Sequence, residues 1–346
     1  MSLGSFLETV RRGGALGRAG AREAMDVLIS GEASEEDIES FLLALNERPC
    51  GPEELAGFAE GMRAKAVTVR VERSPLVDTC GTGGDGLHTF NFSTAAALVT
   101  AGAGVAVAKH GNRAVSSRSG SADVLEALGV AVDAGPDEVR RSIEEAGFGF
   151  FFAPRYHPAM RHVAPVRKRL GVRTVFNLLG PLANPALVTR QVVGIYDAGL
   201  LETYARVLSH LGARRAMVVR GEDGMDEMSL TGRTFVCHVE AGKDVRTEEL
   251  TPEDVGLART DLEALKGGDA AANARALEGV LEGRGGPLLD GTLFNAGAAI
   301  VAAGRAGSVK EGVRVARESV ASGRARGVLE RLRKLRAASS GESAAG

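Results

Sequence analysis

Residues 81–86 read Gly-Thr-Gly-Gly-Asp-Gly, after the apolar run Pro75-Leu76-Val77 and before Thr89-Phe90-Asn91-Phe92-Ser93-Thr94 and an alanine-rich stretch. Four glycines in six residues let the backbone fold back and bring its N–H groups close to an anion. Ser93 and Thr94 stand where a helix should begin, and a helix N-terminus favours negative charge. The local physics therefore points to phosphate. Gly81, Gly83 and Gly86 also fit G-x-G-x-x-G, but a dinucleotide fold needs the helix at the third glycine and an acid about 20 residues on. Here Ser93 follows Gly86 by seven residues. The next strand-like run, Gly104–Ala108, leads into Lys109-His110-Gly111-Asn112-Arg113, with cations and an amide where the acid belongs. Serines follow at 116, 117, 119 and 121. That suits a ligand with several phosphates. A Walker loop is excluded, because no Gly-Lys-Ser/Thr follows the glycines.

The second chemical cluster is Asp226-Glu227, flanked by Gly221 and Gly224 after the apolar run Ala216–Val219. Neighbouring carboxylates on a loop can turn to one site, and hard oxygen ligands beside a polyphosphate fit Mg²⁺. In Lys109-His110-Gly111-Asn112-Arg113, Gly111 permits a close turn, so four donor-rich side chains are expected to crowd one bend after the strand. Arg167, Lys168 and Arg169 share a helix. Two of them read as surface charges, and one could face the cleft and grip a carboxylate with its planar fork. Asp78 at a strand end could be a structural hydrogen-bond partner. His157, His162, His210 and His238 show no metal spacing, and no G-x-S-x-G elbow supports a hydrolase.

These groups need a scaffold. With 346 residues the chain can bury a substantial core in one large or two modest domains. Its 42 Lys and Arg balance 44 Asp and Glu, so no basic footprint for nucleic acid is present. Trp is absent, which argues against base-stacking platforms. Cys50, Cys80 and Cys237 lie far apart, without disulfide or metal spacing, as suits a reducing cytoplasm. Glu8 and then Arg11-Arg12 interrupt the opening apolar stretch, so it does not read as a signal peptide. No apolar run approaches the roughly 20 residues of a membrane span.

Residues 1–70 read as four short helices. Ser34 with Asp37 forms a capping-box pattern ahead of Ile38, Phe41, Leu42 and Leu45, and Pro52 suits a first helical position. So thin a prefix must pack on the rest of the chain or on a second copy. From residue 75, strand-like runs at Leu76–Cys80, Gly104–Ala108, Phe148–Ala153, Arg190–Tyr196, Ala216–Val219 and Thr234–Val239 alternate with helical ones, the last from about Ala270 onward. The pattern predicts an α/β fold with a mostly parallel central sheet covered by helices, and ligands outside the carboxyl ends of its strands. The proline-punctuated stretch 158–185 reads as an insertion, and 336–346 as a disordered tail.

Together the motifs resemble the anthranilate phosphoribosyltransferases of tryptophan biosynthesis. The resemblance is carried by Asp78 through Gly86, Thr89 through Thr94, and Lys109 through Ser117. Phe151-Phe152-Ala153-Pro154, His157-Pro158-Ala159-Met160, Arg173 through Leu182 and Asp226-Glu227 extend it. It covers about residues 5–335. It implies a helical domain (1–70, completed by the inserted segment) joined to an α/β domain (71–335). It also implies transfer of the phosphoribosyl group of 5-phosphoribosyl 1-pyrophosphate to the amine of anthranilate. The implied phosphoribosyl-pyrophosphate contacts are Gly81, Gly84, Asp85, Thr89, Asn91, Phe92, Ser93, Thr94, Lys109, His110, Gly111, Asn112, Arg113, Ala114, Val115, Ser116, Ser117 and Ser121. Anthranilate would meet Gly81, Asn112 and Arg167. Ser93, Asp226 and Glu227 would bind Mg²⁺, two ions per subunit. The resemblance also implies a cytoplasmic homodimer, without nucleic-acid or membrane partners. The alternative enzyme reading is a pyrimidine nucleoside phosphorylase, which shares the fold but lacks the Lys-His-Gly-Asn-Arg run, or another phosphoribosyltransferase on the same fold. A binding relative that lost catalysis would show damaged phosphate motifs and a basic excess, and neither is present.

Overall fold

The first four helices are Leu3–Arg11, Gly17–Ser30, Glu35–Asn46 and Pro52–Ala64, in a computed structural model that describes residues 2–114 and 118–343. The Ser34 hydroxyl accepts the Asp37 N–H at 3.1 Å, and Pro52 opens its helix, as the capping signals require. Ile38, Phe41, Leu42 and Leu45 are at most 2 % exposed within the single chain. Packing on the rest of the chain, the first of the two expected remedies, therefore covers these four residues. They share a core with Val163, Val166, Phe176, Leu179 and Leu182 of the inserted stretch and with Val193, Ile195 and Val218 of the sheet. That stretch is itself helical, with short turns at Pro158–His162, Ala164–Leu170, Phe176–Leu179 and Pro181–Ala183.

The sheet has seven strands: β1 (Leu76–Thr79), β2 (Ala106–Gly111), β3 (Phe148–Phe152), β4 (Arg190–Gly194), β5 (Arg215–Gly221), β6 (Thr234–Glu240) and β7 (Arg246–Leu250). Their order is β3-β2-β1-β4-β5-β6-β7. The first five are parallel and β6 and β7 antiparallel. Alternation sorts the side chains: Val192, Met217 and Val219 enter one core, while Val193, Ala216 and Val218 enter the other. The first of these cores also takes up helices Phe92–Gly102, Ala270–Leu281, Pro287–Ala302, Val309–Ala321 and Arg324–Ser343. The chain continues as helix through 336–343, where the sequence suggests a disordered tail.

The topology places the site. From β1 the chain moves outward through β2 and β3, then returns to β4 on the other side of β1. Where strand order reverses, the following loops part and leave a crevice at the carboxyl ends. The glycine loop follows β1, Ile195-Tyr196 follows β4, and Asp226-Glu227 follows β5.

Candidate active site

At this reversal two glycines make room for Asp226, one for its backbone and one for its carboxylate. A Cβ on Gly194 would overlap the Asp226 carbonyl oxygen, and one on Gly81 would lie 2.5 Å from Asp226 Oδ2. The Asp226 carboxylate accepts the Gly83 N–H at 2.7 Å, and Glu227 Oε1 accepts the Ser93 N–H at 3.0 Å. The loop thus turns both acids to one place. Burial pushes the Asp226 carboxyl up, and the charge of Asp85 adds to the shift. Burial and then Asp226 do the same to Glu227. Asp226 and Glu227, raised by burial and by neighbouring negative charge, would be relieved by a cation beside them.

Helix Phe92–Gly102 begins one residue before the expected start, and its first N–H groups are already taken. Those of Phe92 and Thr94 go to Phe90 and Asn91 carbonyls, and that of Ser93 to Glu227. The anion at this helix N-terminus is a side chain of the protein. The Phe92 and Thr94 side chains are 1 % and 0 % exposed, and Phe92 packs edge-on against Phe90 at 5.2 Å. Phe92 joins the core, and the buried Thr94 hydroxyl has no hydrogen-bond partner among the described residues. Asn91 accepts from Asn273 Nδ2 at 2.8 Å and donates to the Ser119 carbonyl at 3.1 Å, while Thr89 bridges to Lys266.

The expected crowding of Lys109, His110, Asn112 and Arg113 on one bend does not occur. β2 runs on to Gly111, so Lys109 and His110 lie within the strand and take opposite faces. Lys109 is 2 % exposed, and its Nζ donates to the Thr79 carbonyl at 2.5 Å and Ser93 Oγ at 3.3 Å. His110 Nδ1 donates to the Gly180 carbonyl at 2.9 Å, and its ring lies 5.1 Å from that of His157. Burial lowers these imidazoles to about 3 and about 4. Asp78, fully buried, accepts the His110 N–H at 3.2 Å and Asn184 Nδ2 at 2.8 Å, the structural role expected of it; burial raises it to about 6.

Asn112 and Arg113 are exposed. Arg113 Nη1 is held by Asp123 at 3.0 Å and Glu126 at 2.7 Å. Asp123 also accepts the N–H groups of Ala114 and Gly120, and Ser121 Oγ donates to the Asn112 carbonyl at 3.3 Å. Gly111 is packed so closely that a Cβ would meet Ser121 and Phe150. Val115, Ser116 and Ser117 lie outside the described residues.

The three cations of the inserted helix separate clearly. Arg169 is exposed and bonded to Glu35 at 2.5 Å and Glu39 at 2.8 Å, and Lys168 is also exposed. Arg167 is half-buried with its guanidinium 5.2 Å from the Phe176 ring, and no carboxylate pairs with it among the described residues. Burial pulls its pKa down.

Sequence reasoning missed Asp123, Arg173, Asn273 and Asn295. Asn295 accepts the Met228 N–H at 2.9 Å and donates to its carbonyl at 3.1 Å, which fixes the chain beside Glu227. Arg173 Nη2 donates to the Gly84 carbonyl. Only Arg173 had a signal, its place in the Arg-Thr-Val-Phe-Asn-Leu-Leu-Gly-Pro-Leu run.

Among the described residues no three His, Cys, Asp or Glu side chains form a metal-holding set. Asp226 and Glu227 therefore fit Mg²⁺ as a partial set, since that ion keeps waters and shares substrate phosphates rather than filling an all-protein cage.

The helical-bundle model of a glycosyl transferase family matches residues 5–66, and its a/b-domain model matches residues 73–326. The anthranilate phosphoribosyltransferase of Symbiobacterium thermophilum is 50 % identical over 95 % of this chain and 96 % of its own. The Thermus thermophilus enzyme of the same name superposes with a TM-score of 0.91 at 50 % identity, over 97 % of this chain and 99 % of that one. The Saccharomyces cerevisiae enzyme, solved in complex with PRPP and Mg, gives 0.89 at 30 % identity over 97 % and 98 %. The chain belongs to the anthranilate phosphoribosyltransferase family.

Proposed function

We propose that this chain joins anthranilate to the ribose of 5-phosphoribosyl 1-pyrophosphate at the β1–β4 reversal. The products are N-(5-phosphoribosyl)anthranilate and pyrophosphate. The observation that carries the reading is the convergence of Gly81–Asp85, Ser93, Lys109, Asp226 and Glu227 outside the strand ends, with none of these charges in an ion pair among the described residues.

The amine of anthranilate is neutral at pH 7, so its nitrogen attacks without a strong base, and the proton it then sheds passes to the departing pyrophosphate or to water. The demanding step is departure of pyrophosphate from the ribose C1, which turns cationic as the bond breaks. Thr82 and Gly83 spend their N–H groups within the protein, which leaves those of Gly84 and Asp85 for the charge growing on the leaving group. Lys109 adds positive charge and holds Ser93 in place. Arg167 is free to receive the anthranilate carboxylate, and Asn112 would help orient the ring so that the nitrogen meets C1 in line. No side chain stands as a covalent nucleophile, and none is needed. Bound Mg²⁺, two ions in this reading, would neutralise charge on the leaving group, held in part by Ser93, Asp226 and Glu227. Gly81, Gly84, Asp85, Thr89, Asn91, Phe92, Thr94, the 109–117 segment and Ser121 line the phosphoribosyl site in this reading.

The test is the loss of anthranilate fluorescence with phosphoribosyl pyrophosphate and Mg²⁺. Turnover is expected, with its abolition by excess chelator. No turnover with all three present would overturn the reaction, and full activity in chelator the metal requirement. The same proposal includes a cytoplasmic homodimer through the helical prefix, where Leu43 stays 41 % exposed. Light scattering should give twice the 35.9 kDa chain mass, and a monomer at micromolar concentration ends that part.

A further inference from the structure

The glycine loop is tied to the helical part of the molecule at one residue. Arg173 lies between helices Ala164–Leu170 and Phe176–Leu179, with its own carbonyl accepting Asn46 Nδ2 at 2.6 Å. Its guanidinium lies 4.1 Å from the Tyr196 ring centroid and donates from Nη2 to the Gly84 carbonyl. Tyr196 is fixed in turn: its N–H reaches Thr82 Oγ1 at 3.3 Å, and its carbonyl accepts Arg220 Nε at 3.3 Å. No carboxylate pairs with Arg173 among the described residues. Its charge is spent on a backbone carbonyl and an aromatic face.

That contact selects one orientation of a peptide group. In a planar trans peptide the carbonyl of residue 84 and the N–H of residue 85 point in opposite directions. With the Gly84 carbonyl held outward by Arg173, the Asp85 N–H is aimed away from the guanidinium, and it finds no acceptor among the described residues. Gly84 sits at φ +81°, where glycine moves between orientations at little steric cost. Without a hold on its carbonyl this peptide is free to flip and present an oxygen to an anion.

We propose that Arg173, stacked on Tyr196, is a positioning residue that locks the Gly84–Asp85 peptide with its N–H toward the diphosphate. The substrate in this statement rests on the function proposed above; the lock itself does not. Release of the lock exposes the leaving group to a carbonyl dipole of the wrong sign.

The experiment uses the full chain with Arg173→Ala, Arg173→Lys and Tyr196→Leu, each checked for folding by circular dichroism. Amide hydrogen exchange over residues 82–87 is read without substrate, and both KM values are then measured. Arg173→Ala should speed exchange there and raise the KM for phosphoribosyl pyrophosphate about tenfold, the size of one charge-assisted hydrogen bond. The anthranilate KM should stay within about twofold, as its proposed contacts lie elsewhere. Tyr196→Leu keeps the charge and removes the stack, and should move both readouts the same way. Lysine lacks the planar fork and should restore less than half of the exchange protection. Unchanged exchange in Arg173→Ala overturns the proposal; a raised KM alongside it would mean that Arg173 touches phosphate directly. A change in the anthranilate KM alone also overturns it. If the parent fails to consume anthranilate, the assigned reaction falls, and the exchange measurements still decide the lock.

Discussion

At the amino end of β5 a crevice of about 350 Å³ is lined by Arg215, His238, Glu240, Arg246, Glu248 and Lys310 together with apolar side chains. Apart from Lys310, the charges named are matched: Arg215 pairs with Glu240 at 3.2 Å, and Glu248 with His238 at 2.7 Å and Arg246 at 3.4 Å. At the carboxyl end, the space among Thr79, Gly81, Ser93, Gly194 and Glu227 is only about 10 Å³. Yet Asp226, Glu227, Lys109, Arg167 and Arg173 all lack ion pairs among the described residues, and both carboxyls are pushed up by burial, Asp226 further by Asp85 and Glu227 further by Asp226. Volume marks a place where something could fit. Unmatched charge held in place by packing marks a place where a charged ligand completes the structure.

The largest effect that would break this contrast is expected from the carboxylates. Asp226→Asn and Glu227→Gln keep shape and should each cut kcat about 10²-fold or more, as loss of leaving-group stabilisation does. The same swap at the matched end, Glu248→Gln, should change turnover less than about twofold. Steady-state rates at low Mg²⁺ check both. Near-normal rates in the first pair would remove the metal assignment and with it the meaning of the unmatched charge.

A smaller and more selective effect is expected at Arg167. Arg167→Ala should raise the anthranilate KM about ten- to a hundredfold, the worth of a charge-assisted contact, with little change for phosphoribosyl pyrophosphate. Aniline, which lacks the carboxylate, should be equally poor for parent and variant. Arg169→Ala should change neither KM, because Glu35 and Glu39 already hold that side chain at the surface. A shift confined to phosphoribosyl pyrophosphate would move Arg167 to the phosphate region.

The sequence made the matched end harder to read than the unmatched one. β7, Arg-Thr-Glu-Glu-Leu, is an edge strand open to solvent, so it lacks the apolar alternation that reveals buried strands. The glycine loop and the acidic pair were legible because their chemistry is local. Their support was not: Asn273 holding Asn91, Asn295 holding Met228 and Asp123 holding Ala114 act across 182, 67 and 9 residues. Such partners have no periodicity to betray them. The bend at Lys109 was misread for a different reason. A strand whose last residues are charged looks like a loop, and the three residues by which β2 runs on past Ala108 alternate between its faces.

The gentlest difference between the two ends lies in acid stability. His110 and His157, beside the site, have folded pKa values of about 3 and about 4 against an ordinary value near 6.5. A depressed pKa contributes stability that is present above the unfolded value and lost as pH falls through the folded one. The loss from this pair therefore runs from about pH 6.5 down to about 3. Asp78, raised to about 6, acts in the opposite sense: its contribution is present below about pH 4 and lost as pH rises through 6. It offsets part of the histidine loss between those limits. His238 at the matched end is also lowered by burial, but the Glu248 hydrogen bond pulls it back, so its share should be smaller. Melting temperatures of the parent, His157→Gln and His238→Gln at pH 7 and pH 4.5 make the comparison. His157→Gln should flatten the fall by a few degrees, consistent with an upper bound of about 3 kcal/mol from linkage. His238→Gln should flatten it less than half as much. Equal slopes in the two variants would show that burial alone, and not the absence of a carboxylate partner, sets the acid response, and the distinction between the two ends would then not extend to their histidines.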